Sequence, residues 1–345
     1  MTTFVFPMIA AQTEKYVVHE PVTVELPIDD QVAAAVRNGL SSLPKRLPPW
    51  LFYDAAGSRL FDEITERPEY YPTRTERGIL AEHAERMIAD AANGSPLRIV
   101  ELGAGSADKT RLLLKAAVAR QGFVVYEPLD VSSTALDAAQ ARIEREIGGV
   151  VVAPRVMDYT HGNGRGLALR PTDAGERRLV LYIGSSIGNF DPPDAMRLLH
   201  HVRAGLKPGD GLLLGVDLKK DVATLLAAYD DVAGVTAEFN LNLLARLNRE
   251  LGAEFYLESF EHRAVWNQAE SRIEMHLESR IAQKVWLAAL GMEVEFAKGE
   301  TIHTENSYKY RPGLAEAIFA QAGFATAASW TDKRGWFEVC LGRAE

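Results

Sequence analysis

The central part of the chain alternates short apolar runs with amphipathic stretches, a pattern typical of strands and helices in turn. Apolar runs of strand length occur at 98–102, 123–127, 150–154, 179–183 and 211–217. Helical periodicity fills the gaps between them at about 107–120, 132–147 and 192–206. This β-α-β rhythm predicts an α/β fold with a parallel, doubly wound sheet and right-handed crossovers.

The pattern changes on both sides of this central part. Helices are predicted to begin at Asp30 and Glu76, and an aromatic segment bracketed by prolines, 48–75, separates them as loops and short helices. After Lys220, residues 221–250 have helical periodicity and 254–281 alternate polar and apolar side chains like strands. The last predicted elements are a helix near 282–290, a strand near 292–296, a helix at 312–322 and a hairpin ending near 341.

These shifts predict two lobes and a leading segment. The core lobe comprises residues 74–220 and 308–345, and the second, inserted α+β lobe comprises 29–73 and 221–307. Residues 1–28 are a leading N-terminal segment that is interrupted by prolines. Because ligand sites occur preferentially between lobes, the cleft is where we expect the substrate to bind.

Composition narrows the class of ligand. The 345 residues carry a formal net charge of −9, and no block of Lys and Arg is present, so we expect neither nucleic acid nor membrane as a partner. The single Cys340 excludes internal disulfides and a cysteine-based metal site. No apolar run approaches the ~18 residues of a transmembrane helix, and the N-terminus lacks a secretory pattern. We therefore expect a cytoplasmic monomer that acts on a small molecule.

A glycine turn follows the first strand of the core. The segment 97–110 reads L-R-I-V-E-L-G-A-G-S-A-D-K-T, in which Gly103 and Gly105 let a ligand approach the backbone and Lys109 lies in the first turn of the next helix. Asp108 stands where a dinucleotide fingerprint needs its third glycine, which disfavours NAD. The E-x-G-x-G form resembles motif I of class I S-adenosylmethionine (SAM) methyltransferases.

Acidic side chains follow the next two strands at the edge of the sheet where ligands bind. Glu127 or Asp130 could accept hydrogen bonds from ribose hydroxyls, and Asp158 could accept from an adenine amino group beside the ring of Tyr159. Each carboxylate alone is more often a solvated charge at a strand end. Their agreement in position with the glycine turn favours a cofactor site.

The fourth strand of the core ends in a second loop of small residues, L-Y-I-G-S-S-I-G-N-F at 181–190. In one interpretation this is an ordinary turn in which Asn189 or Asp191 caps the following helix. In the other, the amide of Asn189, which both donates and accepts, holds the amino or carboxylate group of a substrate.

Three widely separated segments carry a more specific resemblance: W-L-F-Y-D-A-A-G-S-R-L-F-D-E-I-T-E-R-P-E-Y-Y-P-T-R-T-E-R-G-I-L at 50–80, I-G-S-S-I-G-N, and T-E-N-S-Y-K-Y at 304–310. From about residue 30 onwards the chain resembles the histidine N-alpha-methyltransferases of ergothioneine biosynthesis. The resemblance implies a class I SAM methyltransferase fold with an inserted substrate-binding domain. It also implies trimethylation of the α-amino group of L-histidine to hercynine, with three molecules of SAM.

The resemblance also assigns residues. SAM would contact Gly103, Lys109, Asp130 (in preference to Glu127), Asp158 and Tyr159. The amino and carboxylate ends of histidine would be held by Tyr70, Gly184, Asn189 and Tyr229, with Tyr70 and Asn189 as the catalytic pair. The imidazole would be bound by Glu305 and Ser307, with the intervening Asn306 also assigned to the substrate site. The pocket walls would be Tyr53, Phe61, Phe239 and Met275.

Two other functions remain open at this point. One is a methyltransferase of the same scaffold that acts on another amino acid such as tryptophan, against which Glu305 and Ser307 weigh. The other is a SAM-binding protein without activity. No metal is expected, because His200 and His201 are adjacent and cannot share a helix face, and no H-x-x-x-H pattern occurs.

Overall fold

A computed structural model describes residues 29–105, 107–157, 159 and 167–345. The predictions made for the leading segment 1–28 and for Asp158 lie outside these residues.

The described part of the chain forms nine α-helices, four short 3₁₀ helices and fourteen strands. The helices are α1 Asp30–Leu40, α2 Ala55–Thr65, α3 Tyr71–Ala92, α4 Thr110–Gln121, α5 Ser133–Glu146, α6 Pro192–Ala204, α7 Val222–Ala227, α8 Val235–Leu251 and α9 Leu314–Ala322. The strands are β1 Lys45–Arg46, β2 Leu97–Leu102, β3 Val124–Asp130, β4 Val150–Val152, β5 Arg155–Val156, β6 Arg177–Tyr182, β7 Gly211–Asp217, β8 Phe260–Asn267, β9 Arg272–Ser279, β10 Gln283–Leu287, β11 Met292–Phe296, β12 Thr301–Tyr308, β13 Phe324–Thr331 and β14 Phe337–Ala344.

The larger sheet has the strand order β13-β14-β7-β6-β2-β3-β4, with β5 pairing with β3 beyond the end of β4. Strands β2, β3, β4, β6 and β7 are parallel, whereas β14 runs antiparallel to β7 and to β13. Helices cover both faces. Successive strand residues such as Ile99 and Val100 point to opposite faces and belong to different apolar clusters, one with α3, α4 and α5 and the other with α6 and α9. This doubly wound architecture confirms the predicted fold class.

A second sheet, in the order β1-β12-β9-β8, and the hairpin β10-β11 pack with α1, α2 and α8 around a third apolar cluster. The buried members of that cluster come from residues 32–71 and 225–302. This separate core supports the predicted α+β lobe of 29–73 and 221–307, whose bounds stay a prediction. None of the helices in the described residues is long and apolar enough to span a bilayer.

Two element predictions differ from the structure. The helix predicted near 282–290 is wrong, because Gln283–Leu287 is strand β10, followed by a single 3₁₀ turn. Its burial alternates, with Val285 and Leu287 inside, and pairing with β11 satisfies its backbone. Helix α3 begins at Tyr71 rather than Glu76, because Pro72 suits the first turn of a helix. Glu76 therefore lies within the helix, and Tyr70 lies directly before it.

Candidate functional site

The glycine turn between β2 and α4 forms an open cradle. Gly103 and Gly105 both have positive φ angles, +67° and +49°, which glycine adopts without strain. A Cβ atom at Gly103 would lie 2.6 Å from the hydroxyl oxygen of Tyr159, whereas one at Gly105 would enter open space among the described residues. The turn thus leaves room for a ligand next to Gly105, with Tyr159 beside Gly103.

The carboxylate of Asp130 faces this turn. It accepts hydrogen bonds from the backbone N–H of Gly105 at 3.1 Å and of Ser132 at 3.0 Å. Glu127 is fully buried and accepts a hydrogen bond from the guanidinium of Arg98 at 2.9 Å. Of the two carboxylates considered for the ribose, Asp130 is the one at the cradle.

Lys109 connects the glycine turn to the loop that follows β6. Its ammonium pairs with the buried carboxylate of Glu76, which also accepts the backbone N–H of Gly184 at 2.8 and 3.0 Å. No sequence motif identifies Glu76 as a site residue. The available signal was a carboxylate on the apolar stripe of α3 that Ile79 and Leu80 continue at i+3 and i+4.

A cavity lies where the loop after β6 meets α2, α8, β9 and β12. It is lined by six of the residues predicted to bind the substrate: Tyr70, Gly184, Asn189, Tyr229, Glu305 and Ser307. The cavity is also lined by the four residues predicted to form its walls: Tyr53, Phe61, Phe239 and Met275. The structure therefore brings together ten side chains or backbone positions from both lobes, and their binding roles stay predictions.

Strand register decides which residues of β12 enter the cavity. Glu305 lies opposite Met275 of β9, just after an irregularity in the pairing that follows His303. Successive side chains of a strand point to opposite faces, so Glu305 and Ser307 share the cavity face. Asn306 points to the other face, where its amide donates to Asp191 at 3.2 Å. Asn306 therefore lies outside the cavity that the described residues form.

The side-chain amide of Asn189 forms a hydrogen bond with Glu305 and does not cap the N-terminus of helix α6. Its Nδ2 atom donates to Oε1 of Glu305 at 2.8 Å, across 116 residues of sequence. The carboxylate of Asp191 accepts hydrogen bonds from Tyr308 and Asn306. The structure thus places Asn189 in the cavity and not in the capping role that the loop pattern also allowed.

Aromatic rings form one continuous wall. Ring centroids are 5.7 Å apart for Tyr53 and Phe61, 6.3 Å for Phe61 and Tyr70, and 6.2 Å for Tyr70 and Tyr229. Burial raises the pKa of the three tyrosines well above the usual value, and the nearby Glu305 raises it further. The cavity therefore presents neutral hydroxyl groups and ring faces.

Glu305 is the acidic group of this cavity. The residue is 9% exposed, and burial raises the pKa of its carboxyl to about 7, against the opposing effects of the Lys309 charge and the hydrogen bond from Asn189. Near neutral pH the carboxyl is thus poised between its protonated and ionised forms.

This burial predicts a pH-dependent effect on stability. Folding raises the pKa of Glu305, so the protonated carboxyl is favoured in the native state, and its contribution is lost as the pH rises through about 7. Relative to wild type, Glu305→Gln should therefore gain ~3 kcal/mol in free energy of unfolding between pH 4.5 and pH 8. Urea unfolding at both pH values measures this gain, and a difference that does not change with pH would contradict it.

One group of side chains among the described residues could hold a cation: Glu274, His276 and His303. The carboxylate of Glu274 already accepts hydrogen bonds from Arg272 and Asn267. Glu274 and His276 alternate along β9 with Met275, so they lie on the sheet face opposite the cavity. The absence of a catalytic metal stays a prediction.

A family model described as histidine-specific methyltransferase, SAM-dependent, matches residues 32–344. The chain belongs to this family. Its predicted class, a SAM-dependent methyltransferase, is therefore confirmed, as is the resemblance carried by the three sequence segments.

Named relatives agree with the family. The chain is 46% identical over 306 residues to the histidine N-alpha-methyltransferase of Mycolicibacterium smegmatis, covering 89% of this chain and 92% of the relative. It is 45% identical over 307 residues to the protein of the same name from Mycobacterium tuberculosis, with the same coverage. It is also 30% identical over 314 residues to ergothioneine biosynthesis protein 1 of Neurospora crassa, covering 90% of this chain and 34% of that protein.

Proposed function

We propose that this enzyme transfers methyl groups from SAM to the α-amino nitrogen of L-histidine, three times in succession, to give hercynine for ergothioneine biosynthesis. The observation that supports histidine as the substrate is that the buried carboxylate of Glu305 and the hydroxyl of Ser307 lie on the same face of β12. All the residues assigned to both sites belong to one chain, so we propose that a monomer is sufficient.

An imidazole ring complements this pair of groups. A neutral imidazole has one N–H donor and one acceptor nitrogen, which match the carboxylate of Glu305 and the hydroxyl of Ser307. A side chain without these groups leaves the buried carboxylate unpaired, and sites of this kind can reject it by about 10⁴-fold. The indole of tryptophan offers one N–H, no acceptor nitrogen and more bulk, which disfavours tryptophan as the substrate.

The amide of Asn189 is suited to orient the α-amino group. Because its Nδ2 atom donates to Glu305, its Oδ1 atom remains as an acceptor for an amine N–H. The amine must be neutral to react, and after reaction its proton can leave to water. Alignment of the nitrogen with the methyl group is the main requirement, so no strong general base is needed in this site.

The aromatic wall suits a substrate that becomes a quaternary ammonium ion. Each methylation adds bulk, and the third leaves a permanent positive charge on nitrogen. The rings of Tyr53, Phe61 and Tyr70 can attract such a cation by cation–π interaction, at ~0.5–2 kcal/mol. The same cavity can therefore hold the substrate and both partly methylated intermediates.

The cradle at Gly103 and Gly105 fits the nucleoside end of SAM. Asp130 supplies an acceptor for ribose hydroxyls, and open space lies beside Gly105. Tyr53 lines the substrate cavity, and the charges of Glu305 and Asp130 both raise the pKa of its hydroxyl, so the cavity lies near the cradle. When bound there, SAM supplies an activated methyl group at a sulfonium, and the protein positions the acceptor nitrogen.

Mass spectrometry of the purified protein with SAM and a mixture of the twenty amino acids tests this function. We expect histidine to gain three methyl groups, with monomethyl and dimethyl histidine as minor species, and the other amino acids to remain unmodified. Methylation of tryptophan in place of histidine would support the alternative substrate. No methylation of any amino acid would contradict the proposed function.

A further inference from the structure

Lys309 is a buried cation that borders the cavity without lining it. Its side chain is inaccessible to solvent, and its ammonium lies 2.9 Å from Oδ2 of Asp217. The same nitrogen donates to the hydroxyl oxygen of Tyr229 at 2.9 Å and to that of Ser307 at 2.8 Å. An ammonium has three N–H donors, so these three oxygens account for all of them.

This arrangement determines where the two hydroxyl protons can point. The oxygens of Tyr229 and Ser307 both accept from Lys309, and they lie 2.6 Å from one another, so one hydroxyl donates to the other. The remaining hydroxyl has its lone pairs engaged, and its own proton is free to point into the cavity. Whichever hydroxyl donates within the pair, the pair offers one donor to a ligand.

Given the proposed function, we propose that Lys309 is a positioning residue for substrate recognition: it occupies lone pairs of the Tyr229–Ser307 hydroxyl pair, so that the pair offers a ligand one polarised donor and no acceptor, and thereby selects a ring with an acceptor nitrogen. Glu305, which lies on β12 with Ser307, requires an N–H. Together the two ends of the cavity select a ring that has one nitrogen of each kind.

The rest of the charge network keeps Lys309 in place. Asp217 is 1% exposed, and it also accepts a hydrogen bond from the hydroxyl of Tyr71 at 2.6 Å and pairs with Lys220. Loss of the Lys309 ammonium would therefore leave Asp217 with two partners. For this reason a neutral residue at position 309 should be compatible with folding.

The first test is Lys309→Met, with binding measured by calorimetry in the presence of S-adenosylhomocysteine. We expect the affinity for L-histidine to fall by ~10- to 100-fold, because the hydrogen bond from the hydroxyl pair to the acceptor nitrogen of the ring loses its polarised donor. The affinity for S-adenosylhomocysteine should stay within about twofold of wild type, since the cradle is built by other residues.

The decisive comparison uses a histidine analogue in which pyrrole replaces imidazole, so that the N–H remains and the acceptor nitrogen is absent. Wild type should prefer histidine strongly over this analogue, and Lys309→Met should lose about tenfold or more of that preference. Lys220→Met is the matched control. It removes the other cation of Asp217, which does not donate to either hydroxyl, and should keep the wild-type preference.

A pH profile separates positioning from general structural support. In the described part of the chain, the Lys309 ammonium and the neutral hydroxyls of Tyr53, Tyr70 and Tyr229 lie close enough to interact electrostatically with the Glu305 carboxyl. Lys309 is the cation among them, and it opposes the effect of burial on the carboxyl pKa. In Lys309→Met the pH dependence of histidine binding should therefore shift to higher pH than in wild type.

The outcomes distinguish this inference from the proposed function. If wild type binds and methylates histidine but Lys309→Met keeps the wild-type preference over the pyrrole analogue, the positioning role is wrong and the function stands. If Lys220→Met loses the preference equally, the effect belongs to the charge network in general and the inference is also wrong. If wild type fails to bind histidine, both are wrong.

Discussion

Replacing Glu305 with alanine will weaken the binding of L-histidine by ~10²- to 10³-fold while the binding of SAM survives. The carboxylate is buried, accepts a hydrogen bond from Asn189, and shares the cavity face of β12 with Ser307. Without it, the imidazole N–H enters the cavity with no acceptor, and Asn189 loses the partner that orients its amide. Both losses reduce affinity for histidine, and neither involves the glycine turn.

Calorimetric titration of histidine and, separately, of S-adenosylhomocysteine measures both halves of this prediction. Glu274→Ala is the matched control, because it removes a carboxylate from the neighbouring strand β9 on the opposite face of the same sheet. We expect it to bind histidine as wild type does. Unchanged histidine binding in Glu305→Ala would show that the imidazole is recognised elsewhere.

The larger sheet could be predicted from sequence largely because its central strands β2, β3, β6 and β7 are buried on both faces. Each parallel strand is a short apolar run, and each helix between them shows a separate periodicity, so the two signals do not compete. Strand β10 was missed because it is short, half exposed and followed by two alanines, and its structure depends on pairing with β11. Local sequence does not encode such a tertiary partner.

The site was predictable to the extent that its residues lie in recognisable segments. Ten predicted residues line one cavity, and seven of them lie in the three segments that carry the resemblance: three in 50–80, two in the loop after β6 and two on the cavity face of β12. The residues that support them were not found. Glu76 reaches Gly184 across 108 positions, and Lys309 reaches Tyr229 across 80. Long-range hydrogen bonds from buried charged groups are formed by the assembled fold, and periodicity alone carries no sign of them.

Register explains why adjacent residues of one motif differ in their expected importance. Glu305, Asn306 and Ser307 are consecutive, and the resemblance assigned all three to the substrate. In the structure the outer two face the cavity and the middle one faces Asp191. The alternation of side chains along a strand is sufficient to account for this difference.

Replacing Asn189 with alanine will lower kcat for histidine methylation by ~10²- to 10³-fold without unfolding the protein. The amide bridges the two functions of the cavity, since Nδ2 holds Glu305 and Oδ1 remains for the substrate amine. Its removal leaves the amine free to rotate away from the methyl group, and misplacement by about 1 Å can cost 10²-fold in rate. Because Asn189 is half-buried at the end of a short 3₁₀ helix, alanine there leaves little empty volume.

Asn306→Ala is the control for this variant, since it removes the same amide from a neighbouring strand on the face away from the cavity. Single-turnover methylation with saturating SAM, thermal unfolding, and calorimetry with histidine should be compared for both variants. We expect Asn189→Ala to unfold near the wild-type temperature and to bind histidine with a loss smaller than the loss in rate. Asn306→Ala should keep most of the activity. Retained turnover in Asn189→Ala would show that this amide does not contact the reacting amine, because loss of a group that aligns the nitrogen must change the rate.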